Sequence, residues 1–269
     1  VKLIRICAVA LFAGVLLANA VIQSEAHRAQ DRSVRSSFVT PSPEPPLTEA
    51  RLTVHTLLRE DVFAGLLVND LKRLAKAEKN IDTLMVKRPA EEANLLAWKG
   101  SATLVRAVNA HEAGKSEEFE RLYKQVGDLF TRASKPKTGN NGVFAITGGS
   151  YGLFADRLPE ANRASAWAIA YDNYKQLWKQ QSAILQALPV HHRGEVLGGL
   201  AMSAARTGHK DEAKEIAGKM LTMLKDTSYE PLAKKWTENI DAPTNPSMVC
   251  MSCHEGARLA PSVAALAKP

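Results

Sequence analysis

Cysteine is scarce in this sequence, with 3 in 269 residues. Once Cys7 in the N-terminal apolar stretch is set aside, only Cys250 and Cys253 remain. A tetrahedral zinc site needs four ligands, so this pair would have to recruit His191, His192 or His209. Long apolar runs are missing too. The stretch from Ile6 to Ala18 is too short and wrongly flanked to span a bilayer. No strand pattern surrounds the cysteine pair, which argues against the βαβ context of a thioredoxin-like redox motif. The glycine-punctuated interval from Lys135 to Leu158 lacks the Lys-Ser/Thr of a P-loop and follows no strand, so it does not read as a phosphate cradle. No acid–base pair stands out for catalysis. Charge of one sign does not dominate: the net charge is +7, and basic residues are interleaved with acids along helical segments. That distribution reads as solvated helix faces and excludes a dedicated nucleic-acid surface.

What is present begins with a leader. Lys2 and Arg5 form a basic n-region, Ile6 to Ala18 an apolar h-region, and Ala18-Asn19-Ala20 a small-x-small cleavage site. The pattern predicts a secretory signal peptide over residues 1–20, an exported or periplasmic mature chain and no stable membrane span after cleavage. Residues 21–50 are polar and proline-rich, with Pro41, Pro43, Pro45 and Pro46 opposing helix formation, and read as a disordered linker.

Residues 51–240 read as helical almost throughout, at an ordinary globular composition of 45% apolar and 23% charged residues. Val62, Leu66, Leu67 and Leu71 fall at helical spacing, and Leu74, Ala77, Ile81 and Leu84 continue it. Asn69-Asp70 predicts a turn, and Pro89 predicts a helix end. A second turn is expected at Ala113–Ser116 with Ser116 as N-cap. A further hairpin runs from Val196 through Thr207–Asp211 to Leu224, and Ala161 to Leu188 reads as another long helix. The interval from Lys135 to Leu158 reads as a surface loop, although Phe144, Ile146, Tyr151, Leu153 and Phe154 are apolar enough to pack on the helices or on a bound group.

Gly65, Ala77 and Pro89 are evenly spaced, and Gly208 precedes Asp211-Glu212-Ala213. In these features the segment resembles the tetratricopeptide repeat, in degenerate form. The resemblance implies an all-α fold of stacked antiparallel helical hairpins, a short solenoid whose groove docks a redox partner protein or a peptide.

Residues 241–269 hold Cys250-Met251-Ser252-Cys253-His254, the C-x-x-C-H pattern of haem attachment. Two thiols at this spacing reach the vinyl-derived carbons on one porphyrin edge, and the next histidine is held under the iron. Here the sequence resembles the c-type cytochromes. The resemblance implies haem c bound through Cys250 and Cys253, His254 as proximal metal ligand, and one-electron transfer. No Met or His follows His254. The distal position therefore falls to Met202, Met220, Met223, His111, His191, His192 or His209 in the helical region, to Met248, to Lys268 once it has lost a proton, or to nothing. Cytochromes of the c-prime type, helical bodies with a C-terminal C-x-x-C-H, commonly leave that position open. Two rival readings stay open: a peptide-binding scaffold with a minor or structural haem, and an open-site haem sensor or enzyme.

Overall fold

The computed structural model describes residues 46–135 and 140–242. The expected leader, most of the linker and residues 243–269, with Cys250, Cys253 and His254, lie outside the described residues.

The helices form where apolar residues recur at helical spacing and stop where the backbone must turn. Helix α1 (Val54–Val68) ends on Asn69, a non-glycine residue held at a φ of 55°. Asp70 then caps α2 (Leu71–Lys87), its Oδ1 accepting from the backbone N–H groups of Lys72 and Arg73 at 3.1 Å. Pro89 opens a short 3-10 turn before α3 (Glu92–Glu112). Gly114 takes a φ of 71°, a conformation glycine adopts without penalty, and α4 (Ser116–Ala133) begins. The cap of α4 differs from expectation: Ser116 is already helical, and Lys115 occupies the N-cap position with no side-chain bond.

The next pair corrects the sequence reading. Asn141–Phe154, expected to be a surface loop, is helix α5, capped by Asn140 and largely buried. It pairs with α6 (Glu160–Gln181), which continues as 3-10 helix over Ser182–Ala187. The last hairpin is α7 (Val190–Arg206) and α8 (Lys210–Met223), turning at Gly208 with a φ of 86°. A short helix, α9 (Glu230–Glu238), packs on α8.

The architecture is all-α, four antiparallel hairpins laid side by side with α9 at the end, and the described residues contain no strand. The hairpins start at Val54, Glu92, Asn141 and Val190, farther apart than the roughly 34-residue tetratricopeptide period. The first helix of each hairpin packs on the first helix of the next, so α1, α3, α5 and α7 form an inner row. The second helices, α2, α4, α6 and α8, form the outer row. Helix α4 shows the outer pattern: Phe119, Leu122, Val126, Leu129, Phe130 and Ala133 are buried at three- and four-residue steps, with charged residues between them.

The first hairpin is fixed by an ion pair between Arg73 Nε and the buried Asp61 Oδ1 at 2.6 Å. The end of the expected linker also belongs to the folded body. Arg88 donates through Nη2 to the Glu49 carbonyl and through Nη1 to that of Leu52, each at 2.5 Å. No described helix is long and apolar enough to cross a membrane.

Candidate functional site

The inner row encloses a groove, a cavity of 260 Å³ lined by residues from all four hairpins. Helix α1 contributes His55, Phe63 and Leu66, α3 contributes Trp98 and Ser101, and α7 contributes His191, His192, Glu195 and Val196. Along α5, Ile146, Gly149 and Leu153 face the same space, joined by Tyr174 from α6 and Tyr229 from the start of α9.

Glycine makes these walls possible. A Cβ on Gly199 would stand 2.1 Å from the Tyr174 ring, and one on Gly194 would stand 2.2 Å from that of Tyr229. Each tyrosine ring is seated directly on the α7 backbone. On α5, a Cβ on Gly148 would reach Tyr174 at 3.1 Å, and one on Gly152 would reach Met202 at 3.3 Å. The glycines that resemble loop punctuation are therefore helix-packing positions.

The groove is apolar with a few polar groups, the general form of a ligand site. The buried Ser150 Oγ donates to Ser101 Oγ at 2.8 Å. Trp98 is 2% exposed, and its indole N–H is buried with no hydrogen-bond partner. Such an orphan donor costs about 1–3 kcal/mol unless an occupant supplies an acceptor. His55 leans on Trp98, with ring centroids 5.3 Å apart. His191 Nε2 lies 3.7 Å from Glu195 Oε2, and the exposed His192 stands 5.5 Å from His191, ring to ring. Burial pushes the Glu195 carboxyl from 4.5 up to about 7, because the apolar groove disfavours its charged form. Among the described residues, no three His, Cys, Asp or Glu side chains converge as a free metal-ion site.

The residues singled out from sequence divide clearly. His191 and His192 are brought into the groove. His111 and His209 are not: His111 tilts against Phe119, and His209 stacks on Tyr171 with centroids 4.4 Å apart, its Nδ1 3.0 Å from Thr207 Oγ1. Met220 and Met202 are core residues, 0% and 8% exposed, and Met223 packs against the core. Cys250, Cys253, His254 and Met248 lie outside the described residues. Of the apolar residues in the expected loop, Ile146 and Leu153 line the groove, while Tyr151 and Phe154 enter the core.

Sequence reasoning missed His55 and Glu195. Each occupies an ordinary helical position, and only the juxtaposition of α1 with α7 across the groove gives them meaning.

Imidazole is a common iron ligand, an apolar wall suits a porphyrin face, and the Trp98 N–H is a donor awaiting an acceptor. At 260 Å³ the cavity is a little below the range of roughly 300–1,000 Å³ usual for ligand pockets. A whole porphyrin is larger than this cavity. Comparison with known proteins gives no family assignment: no protein-family model, no curated protein and no solved structure matches this chain.

Proposed function

We propose that the chain is an exported monohaem c-type cytochrome that moves single electrons between partners. The observation that carries this reading is Cys250-Met251-Ser252-Cys253-His254, which uses both cysteines left once the leader over residues 1–20 is removed. Covalent attachment gives each thiol a use in an oxidising compartment, where a free pair would otherwise close into a disulfide. His254 holds the iron from the proximal side. The bound haem supplies a one-electron couple, and the helical body supplies the surface on which a redox partner docks.

The groove favours a second reading, a peptide-binding scaffold in which haem is minor or structural. The two separate on haem content and redox behaviour. Protein exported from cells with cytochrome maturation machinery should keep its haem through acid–acetone extraction and give the pyridine haemochrome spectrum of haem c. Loss of all haem into the organic phase would rule out the cytochrome reading. Stoichiometric haem that does not turn over between a reductant and an acceptor would favour the scaffold.

A further inference from the structure

We propose that the groove between α1, α3, α5 and α7 binds a small, uncharged, single-ring molecule that carries a carbonyl oxygen. The site is built from the helical body alone, so it stands apart from the cytochrome reading.

Volume sets the scale of the occupant. At 260 Å³ the groove is larger than the roughly 150 Å³ of an engineered cavity that takes benzene, and smaller than a usual drug-sized pocket. One substituted ring fits that interval. The walls suit a ring as well. Phe63 stands edge-on to Trp98 with centroids 5.9 Å apart, and Tyr174 and Tyr229 are seated on the glycines of α7. Aromatic surfaces of this kind gain from edge and offset-face contacts with a bound ring. On the α5 side, Ala145 and Gly149 leave the space open by their small size.

Charge argues for a neutral occupant. Among the described residues that line the groove, none is a Lys or Arg that could hold an anion. The lining carboxyl, Glu195, is pushed toward its protonated form by its apolar surroundings. Below about pH 7 it offers an O–H rather than a fixed negative charge for a cation.

The polar groups then select an acceptor. Ser150 Oγ lies 2.8 Å from Ser101 Oγ and 2.6 Å from the Ile146 carbonyl oxygen, so these two hydroxyls are occupied with each other and with the helix. Trp98 differs: it is 2% exposed, and its indole N–H has no hydrogen-bond partner. An indole nitrogen only donates. The occupant that completes it must bring an acceptor. A carbonyl does so without carrying a donor of its own into apolar surroundings, where an unpaired donor is costly.

The test uses the full exported chain at about pH 6 and four probes of similar size. These are acetophenone, α-methylstyrene (a CH₂ in place of the oxygen), benzoate and phenyltrimethylammonium. Titration calorimetry measures affinity, and proton NMR follows the indole N–H signals. Trp98→Phe identifies the Trp98 signal by its disappearance, Ala145→Phe fills the groove, and circular dichroism checks that both variants keep their helices. Acetophenone should bind with a Kd at or below about 1 mM. It should bind about fivefold or more tighter than α-methylstyrene, the worth of one hydrogen bond, and about tenfold or more tighter than either ion. The Trp98 signal should move downfield with acetophenone and not with α-methylstyrene. Trp98→Phe should bind the two neutral probes equally, and Ala145→Phe should bind neither. Equal affinity of the parent for the two neutral probes, tighter binding of either ion, no binding of acetophenone, or undiminished binding in Ala145→Phe each overturns the proposal.

Discussion

The inner and outer helices of this protein use glycine in opposite ways. In the inner row, Gly65, Gly100, Gly148, Gly194 and Gly199 hold space for a neighbour: Leu74 over Gly65, the Phe130 ring over Gly100, and tyrosine rings over the rest. In the outer row, Gly127 of α4 and Gly218 of α8 face open space, with nothing within 4 Å of an added Cβ. Side chains of the outer helices and of the start of α9 come close to the inner helices because the contact surfaces there are reduced to backbone, and two of the rings lodged there, Tyr174 and Tyr229, become groove walls. The outer helices need only an amphipathic stripe.

The largest expected break in this comparison is Gly199→Ala. Its Cβ would overlap the Tyr174 ring, which is 5% exposed and closely packed. Overpacking of this kind costs about 3 kcal/mol or displaces the ring into the groove. Denaturant melts should show the loss, and an unchanged midpoint would contradict the claim that α7 is seated directly on that ring.

Glu195 sharpens the comparison through pH. Its folded-state value is about 7 against an ordinary 4.5, so the folded protein holds the proton more tightly than the unfolded chain does. The stabilisation this gives is full below the ordinary value and is lost as pH rises through the folded one. Stability should therefore fall between about pH 5 and about pH 8, by on the order of 2 kcal/mol from this group. Glu195→Gln should remove that component and stabilise the protein at the upper end. Parallel pH profiles for the two proteins would place Glu195 outside an apolar setting.

The smallest effect has the opposite sign from the first. Gly127→Ala puts a methyl group into open space on an outer helix and should stabilise by about 0.5–1 kcal/mol through helix propensity. The same substitution thus changes sign between rows, and thermal melts of both variants read it.

This contrast also explains what was legible in the sequence. The first and last hairpins could be read because Leu74, Ala77, Ile81 and Leu84 repeat at helical steps, and because Asn69-Asp70 and Gly208 terminate helices locally. Helix α5 could not. Gly148, Gly149 and Gly152 look like turn residues when the side chains that fill their space, Tyr174, Trp167 and Met202, come from α6 and α7. The groove was legible only in part. His191 and His192 were among the candidate ligands, but His55 and Glu195 acquire a common environment only through the packing of α1 and α7 around one space. The repeat resemblance led to the right hairpin architecture; the wrong loop came from taking glycines as breaks without knowing which neighbours would use their space.

The central claim is that Cys250 and Cys253 carry haem, and intact-protein mass spectrometry in denaturing solvent tests it most directly. The exported chain should have the mass of the leader-processed sequence plus one haem, retained after unfolding. The Cys250→Ala, Cys253→Ala double variant should have the mass of its polypeptide alone. A parent chain without haem, lighter by two hydrogens for a closed disulfide, would contradict the account.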